Sequence, residues 1–256
     1  MIPDMAGAFE IKVLGTGNNS YYVYDSEREQ IGDAQTIIDE DEEDGVEISD
    51  EGIYSVELSD VSREITVEDD VTLVSGSVLV FGWGTDPYDL YDEDDNKLGG
   101  AETGEYTDMF AGSYTVRLND TSQPATVVSG ARTFLGAGAI LVRGTGTDRY
   151  DVYDADENKL GGNDTEGDVE LFPGTYTVEL NKTRETTVIV EAFRRSVLKA
   201  GAIKITGTGS DSYNVCDLDE NDLGSDDEIG RAAAQFRWRI LGILFQAKCR
   251  STSGSL

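Results

Sequence analysis

Hydrophobic and polar residues alternate along most of the chain, in short runs separated by glycine, asparagine and aspartate. The clearest run is Gly174–Leu180, in which Tyr176, Val178 and Leu180 alternate with threonine and glutamate. A period of two places these three side chains on one face of an extended strand, and β-branched and aromatic residues favour strands. The pattern therefore predicts a half-buried β-strand at this position.

The same landmarks recur through the chain as an internal repeat. Strands that match Gly174–Leu180 begin at Gly52 and Gly112. An aromatic segment that ends in aspartate occurs four times, at Asp25, Asp92, Asp154 and Asp217. Successive aspartates of this set are 67, 62 and 63 residues apart, so the period is that of a small domain and not of a solenoid coil.

These landmarks predict three complete repeats and a fragment. The predicted ranges are 1–75 for repeat 1, 76–137 for repeat 2, 138–200 for repeat 3, 201–225 for a truncated repeat 4, and 226–256 for an atypical tail. Because the linkers are only a few residues long, we expect the copies to follow one another as a semi-rigid rod. Repeat 1 carries extra residues within 27–44, which we predict to form an acidic surface loop.

The predicted fold class is all-β. We expect a tandem array of small antiparallel β-sandwiches, Ig-like or transthyretin-like, of about 62 residues each. The strand at Gly112 is followed by Asn119–Pro124, where turn-forming residues cluster, and we predict a turn over this range before the next strand.

Charge restricts the function. The 256 residues include 51 acidic and 20 basic residues, for a net charge of −31, and no histidine. Nucleic acid and anionic membranes are unsuitable partners, because both require a positive surface. An acidic composition rich in threonine, valine and glycine is typical of proteins from extreme halophiles, in which molar salt screens self-repulsion. The alternative is an acidic extracellular protein.

The composition also argues against an enzyme. Without histidine the chain lacks the general base of Ser-His and Cys-His mechanisms and the most common zinc ligand. Four Gly-x-Gly motifs lack the third glycine of a dinucleotide loop, and we interpret them as turns. We therefore predict no catalytic residues and no organic cofactor.

One spacing is typical of calcium sites. Asp-x-Asp-x-Asn places three oxygen ligands as at the start of a calcium loop. The sixth-position glycine of an EF-hand is missing from all three copies, and the twelfth position is Thr103, Thr165 and Glu228 instead of a uniform glutamate. The candidate ligands are Asp92, Asp94 and Asn96, then Asp154, Asp156 and Asn158, then Asp217, Asp219 and Asn221. Four nearby acids could complete a looser shell: Asp89, Asp95, Asp151 and Asp168. The alternative is a hairpin whose aspartates hydrogen-bond their own backbone.

The tail differs from the repeats. Residues 226–256 contain three acidic and five basic residues, and a reading-frame shift or a vector-derived end would produce such a break. The alternative is a basic amphipathic helix. No signal-peptide segment or apolar run long enough to span a membrane is visible in this chain. Asn-x-Ser/Thr motifs at Asn18, Asn119, Asn163 and Asn181 fit either an exported, glycosylated protein or the abundance of threonine.

The segment Glu170-Leu-Phe-Pro-Gly-Thr-Tyr-Thr-Val-Glu-Leu180, with the preceding Val-Tyr-Asp and Leu-Gly, resembles PEGA and carboxypeptidase-regulatory-like modules. These modules are small β-sandwich repeats of prokaryotic surface and secreted proteins. The residues that carry the resemblance are Pro173, Gly174, Tyr176, Val178 and Leu180. The Gly-x-Tyr sequence also looks like a tyrosine corner, in which the hydroxyl bonds to the backbone at a sandwich crossover.

The sequence therefore favours a non-enzymatic β-sandwich array that acts as a spacer, adhesion or interaction module, extracellular or at a cell surface, with a protein or a glycan as partner. Two hypotheses from other classes stay open. One is a calcium-binding extracellular module. The other is a non-catalytic, carbohydrate-contacting appendage of a larger enzyme, for which Trp83 is the only aromatic indication.

Overall fold

The structure is a computed structural model, and it describes residues 8–16, 19–40, 42, 44–144, 148–201, 213–216 and 222–226. These residues form strands and turns but no helix, which confirms the all-β prediction. The chain forms two compact units, Met1–Ala137 and Gly138–Leu256. Most of the predicted repeat 4, and the tail after residue 226, lie outside the described residues.

Repeats 1, 2 and 3 each contain seven strands. Those of repeat 1 are β1 (Phe9–Leu14), β2 (Ser20–Tyr24), β3 (Gln30–Gln35), β4 (Val46–Ile48), β5 (Gly52–Leu58), β6 (Val61–Val67) and β7 (Val71–Val74). Those of repeat 2 are β8 (Gly76–Phe81), β9 (Pro87–Tyr91), β10 (Lys97–Glu102), β11 (Tyr106–Met109), β12 (Gly112–Leu118), β13 (Thr121–Val127) and β14 (Arg132–Gly136). Those of repeat 3 are β15 (Gly138–Arg143), β16 (Arg149–Tyr153), β17 (Lys159–Asp164), β18 (Asp168–Leu171), β19 (Gly174–Leu180), β20 (Thr183–Val190) and β21 (Arg195–Lys199). Strands β22 (Tyr213–Cys216) and β23 (Asp222–Asp226) pair as an antiparallel hairpin.

Each repeat is a sandwich of two sheets. In repeat 1 a three-stranded sheet has the order β4-β1-β7 and a four-stranded sheet has the order β3-β2-β5-β6, and repeats 2 and 3 follow the same order. The core of repeat 1 joins Ile11 and Val13 from the first sheet to Val23 and Val56 from the second. The predicted sandwich is confirmed.

One pair of strands in each repeat is parallel. The first and last strands, β1 and β7, run in the same direction from the pair Ile11 and Val71 to the pair Leu14 and Val74. The pairs β8 with β14 and β15 with β21 are parallel in the same way. The alternation of residues predicts these strands but contains no information about their direction.

The alternating strand of each repeat has one buried face, as predicted. Tyr114, Val116 and Leu118 are buried in β12, as are their counterparts in β19. Tyr54, at the corresponding place in β5, is only partly buried. The Tyr114 hydroxyl bonds to the carbonyl of the buried Phe110, whereas Tyr54 follows an exposed loop.

The largest buried side chains are three equivalent tyrosines, Tyr21, Tyr88 and Tyr150. Each lies in the four-stranded sheet and donates its hydroxyl proton toward a backbone carbonyl of the facing sheet. The Tyr21 hydroxyl lies 2.7 Å from the carbonyl oxygen of Ile11, and the Tyr150 hydroxyl lies 2.8 Å from that of Ile140. This contact joins the two sheets of each repeat through the core.

The predicted tyrosine corner is confirmed in all three repeats. The hydroxyl of Tyr54, Tyr114 and Tyr176 bonds to the carbonyl four residues earlier, at 2.8, 2.7 and 2.6 Å. The glycine two residues before the tyrosine leaves room for the ring in repeats 2 and 3. A Cβ on Gly112 or Gly174 would lie 2.9 or 2.7 Å from the tyrosine oxygen.

The turn predicted over Asn119–Pro124 is shorter than expected. Only Asn119 and Asp120 form the turn, with φ angles of 46° and 56°, and β13 begins at the next residue. Two successive positive φ angles are typical of the type I′ hairpin turn. Pro124 lies within β13, which is an edge strand, so its missing N–H needs no neighbour there.

The acidic loop predicted within 27–44 is wrong for part of its length. Gln30–Gln35 is strand β3, which pairs with β2, and Ala34 and Ile37 are buried. The extra residues of repeat 1 lie after β3, before β4 begins at Val46. Composition marked the region as exposed, but hydrogen bonds to β2 and the burial of two apolar side chains outweigh the local charge.

Because Tyr88 is buried, we expect the folded chain to lose stability at alkaline pH. Burial raises the pKa of Tyr88 from 10.0 to about 12. The folded chain keeps the phenol proton where the unfolded chain loses it, so the contribution of Tyr88 to stability is complete below pH 10 and declines as the pH rises toward 12. We expect Tyr88→Phe to reduce this decline in urea unfolding, and to cost about 1 to 3 kcal/mol at neutral pH because buried carbonyls lose their donor.

The control is Tyr91→Phe, whose ring lies on the other face of β9 beneath Arg117. We expect this variant to keep the alkaline decline of the original chain. An unchanged decline in Tyr88→Phe would contradict the assignment.

Candidate functional site

The hairpins with the predicted calcium spacing are closed by their own hydrogen bonds. One carboxylate oxygen of Asp92 accepts the backbone N–H groups of Asp94 and Asn96 at 3.0 and 2.8 Å, and the other accepts the Asn96 amide at 2.9 Å. Asp154 makes the same three contacts in repeat 3, at 2.9, 2.8 and 2.9 Å. This arrangement is the aspartate-stabilised hairpin of the alternative hypothesis.

The same contacts explain the electrostatics of the turn. The side-chain hydrogen bond from Asn96 lowers the pKa of Asp92, with further help from backbone N–H groups, and Asn158 acts in the same way on Asp154. The carboxylates thus stabilise the hairpin above their ordinary pKa, and this contribution is lost as the pH falls.

The acids proposed to complete a looser shell have cationic neighbours instead. Asp89 lies 2.8 Å from Lys97, Asp151 lies 2.8 Å from Lys159, and Asp168 lies 2.6 Å from Arg195. Asp95 pairs with Arg117.

In the described part of the chain, no group of three or more His, Cys, Asp or Glu side chains is arranged to hold a metal ion. The third candidate set, Asp217, Asp219 and Asn221, lies outside the described residues. Calcium binding therefore stays a prediction.

Asp108 in β11 is an acidic residue that no sequence motif indicated, and it makes contacts between two repeats. Its side chain is fully buried. It crosses from repeat 2 to repeat 1, where its carboxylate accepts the Thr16 N–H and hydroxyl at 2.9 Å and the Thr36 hydroxyl at 2.7 Å. All these donors are neutral, so hydrogen bonds take the place of water around the charge.

The backbone of Asp108 is also held by repeat 1. Its N–H donates to the Asn19 side-chain oxygen, and its carbonyl accepts the Ser59 hydroxyl, both at 2.9 Å. The socket, defined here as Thr16, Asn19, Thr36 and Ser59, therefore binds three different groups of one residue. A contact of this kind fixes both position and orientation.

Phe110 adds an apolar contact to the same junction. It belongs to repeat 2 in sequence, yet its ring is part of the core of repeat 1. The Arg63 guanidinium of repeat 1 lies over this ring, 4.7 Å from its centre. Repeat 1 is therefore completed by a side chain of the following repeat.

The acidic-apolar-Phe pattern recurs at Glu170 and Phe172, which are buried as well. The residue of repeat 1 that corresponds to Asp108 is Glu47. Glu47 in β4 pairs with Glu10 in β1, and Asp108 in β11 pairs with Ser77 at the same place in β8. Glu47 is exposed, and the loop after β4 has no phenylalanine. Comparison of the repeats at this position is the signal that could have found the junction.

Comparisons with known proteins give little further information. No protein-family model and no curated protein matches the chain. The solved structure of the Bacillus anthracis TIE protein matches 75% of this chain, with 14% identity and a TM-score of 0.23, and the chain covers 49% of that protein. The major pilin subunit BcpA of Bacillus cereus matches 75% of this chain and 98% of its own, with 7% identity and a TM-score of 0.19. Neither match assigns a function to this chain.

Among the described residues there is no helix of the length and hydropathy that a bilayer span requires.

The junction makes a testable prediction. We expect Asp108→Ala to lower the free energy of unfolding by about 3 kcal/mol, because the buried Thr36 donor and the half-buried Thr16 donors lose their acceptor. Urea unfolding followed by circular dichroism would measure the change. The control Glu47→Ala removes an exposed acid from the equivalent ladder position, and should change stability by less than about 0.5 kcal/mol. Equal losses in the two variants would show that the socket has no special role.

The acidic hairpins make a second prediction. We expect stability to rise smoothly through molar NaCl or KCl, as screening relieves repulsion, with millimolar calcium adding little in high salt. A specific site would instead add RT ln(1+[L]/Kd) and saturate. The informative variant is Asp156→Ala, since Asp156 gives the turn only its backbone N–H. Asp154→Ala is the comparison, because it breaks the turn whether or not calcium binds. Saturable calorimetric binding in molar NaCl that Asp156→Ala abolishes would establish a calcium site.

Proposed function

We propose that the chain is a non-enzymatic spacer: a tandem β-sandwich array that sets the distance and direction between whatever its two ends are attached to. The observation that carries the proposal is the Asp108 junction, in which repeat 2 is held by repeat 1 through a buried carboxylate, two backbone contacts and a shared aromatic ring. Repeats that only needed to be tethered would require none of these contacts.

The linkers support the same proposal. A single residue, Ser75, separates β7 from β8, and a single residue, Ala137, separates β14 from β15. Both are buried. The Ser75 linker leaves no flexible segment between repeats 1 and 2, unlike the polar linkers that permit free domain motion.

The proposal includes high salt as the working environment. At about 1 M salt the Debye length is about 3 Å, so exposed ion pairs contribute little. The junction depends instead on neutral donors around a buried carboxylate, and burial protects such contacts from screening. A net charge of −31 on the chain is compatible with folding where salt reduces repulsion.

A cell-surface or secreted setting is part of the proposal, supported by the resemblance to PEGA and carboxypeptidase-regulatory-like modules. One observation favours a second function, contact with carbohydrate. Phe81 and Phe134 stack with ring centres 5.7 Å apart and are 42% and 51% exposed, and Trp83 nearby in sequence is 47% exposed. Exposed aromatic faces can bind apolar faces of sugars, and calorimetry with glycans would test this.

Spin labels test the spacer proposal in the full chain. Ser62 and Ser122 are exposed and occupy matching places in β6 and β13. Ser62→Cys and Ser122→Cys therefore place one label on each of repeats 1 and 2. Cys216→Ser and Cys249→Ser remove the native cysteines, so that no other site is labelled. We expect double electron–electron resonance to give one narrow distance distribution.

Adding Asp108→Ala and Phe110→Ala should broaden this distribution, whereas adding Glu47→Ala should not. A broad distribution in the chain with an intact junction would overturn the proposal, because it would mean that the two repeats move independently.

A further inference from the structure

The parallel pairing of the first and last strands has a mechanical consequence. In repeat 3, β15 and β21 are aligned from the pair Ala139 and Arg195 to the pair Arg143 and Lys199. The chain enters the repeat at the start of β15 and leaves at the end of β21. Since the strands are parallel, these two points lie at opposite ends of the shared ladder.

Tension on the chain therefore loads the ladder in shear. The two strands can separate only by sliding past each other, and the evenly spaced hydrogen bonds of a parallel pair then resist together. If entry and exit lay at the same end of the ladder, the bonds would open one at a time. The same geometry occurs in repeat 1 with β1 and β7, and in repeat 2 with β8 and β14.

The linker residues extend these ladders. The Ser75 N–H donates to the Leu14 carbonyl at 2.9 Å, and the Ser75 carbonyl accepts the Gly130 N–H of repeat 2 at 2.8 Å. In the same position of repeat 2, the Ala137 N–H donates to the Phe81 carbonyl at 2.8 Å. Ala200 completes the set in repeat 3, with its N–H 2.7 Å from the Arg143 carbonyl. Between repeats 1 and 2, the last strand of one repeat therefore leads directly into the hydrogen bonds of the next.

We propose that each repeat is a force clamp, so that the array resists extension when it is pulled from its two ends. This function rests on the proposed spacer function, because only a chain attached at both ends carries tension. The clamp consists of the parallel first and last strands, and the remaining five strands supply the core that keeps them in register.

Single-molecule force spectroscopy on the full chain tests the proposal. Attachment through the two termini should give rupture events that each release roughly 200 Å, as expected for about 60 residues at 3.3 to 3.6 Å per residue. The comparison attaches the same chain through Arg149→Cys and the C-terminus, with Cys216→Ser and Cys249→Ser in both arms. Arg149 is exposed and is the first residue of β16, the next strand after β15, so this geometry opens the β15 and β21 ladder from one end.

We expect the rupture force of repeat 3 to be severalfold lower in the second geometry. No core residue differs between the two arms, so a difference in force reports direction of loading and not stability. Equal rupture forces in the two geometries would overturn the clamp.

A matched pair of variants tests the ladder itself under end-to-end pulling. Ala200→Pro removes the N–H that bonds to Arg143, whereas Ala200→Ser keeps it and introduces the residue found at the equivalent Ser75. We expect only the proline variant to lower the rupture force, and only for one of the three repeats. Similar forces for both variants would contradict the role of this rung, and a thermal melt of each variant identifies a general loss of folding.

Failure of the clamp and failure of the spacer are distinguishable. The spacer fails if the labels on repeats 1 and 2 give a broad distance distribution, whatever force the repeats withstand. The clamp fails if direction of pulling has no effect, even when the distance distribution is narrow.

Discussion

Each repeat depends on a tyrosine hydroxyl that joins its two sheets. A sandwich of about 60 residues buries only roughly 60% of the surface that its unfolded chain exposes, so apolar burial alone leaves it marginal. Tyr21, Tyr88 and Tyr150 fill the centre of the core and satisfy a carbonyl of the facing sheet. The first strand of each repeat is thereby held in place, and that strand is also the one that pairs in parallel with the last.

The junction compensates for small size in a different way. Phe110 completes the core of the preceding repeat, so apolar area that one sandwich could not enclose is enclosed by two. Asp108 adds specificity, since a buried carboxylate is tolerated only where its donors are correctly placed, and any other docking position would leave the charge without hydrogen bonds. Phe110 therefore stabilises the core of repeat 1, and Asp108, two residues earlier, fixes the orientation of repeat 2 on repeat 1.

Much of the fold was accessible from the sequence because its signals are local. A period of two placed Tyr176, Val178 and Leu180 on one buried face, and the Gly-x-Tyr spacing indicated the tyrosine corner. The parallel pairing was not accessible, because strand direction depends on how the chain crosses between sheets. Asp108 was missed for a related reason: its donors are as many as 92 residues away in sequence, and nothing local distinguishes it from the exposed members of the 51 acidic residues.

Salt affects the acidic surface and the junction between repeats 1 and 2 in different ways. A chain of net charge −31 repels itself, and a junction built on exposed ion pairs would strengthen at low salt and weaken at high salt, where the repulsion is screened. The Asp108 carboxylate accepts hydrogen bonds from Thr16 and Thr36 and is fully buried, so salt ions cannot screen these contacts. The direct junction contacts can thus stay constant while salt changes the surface repulsion. A spacer whose length and direction must not vary with its surroundings needs this separation between the charges that face solvent and the one charge that holds repeats 1 and 2 together.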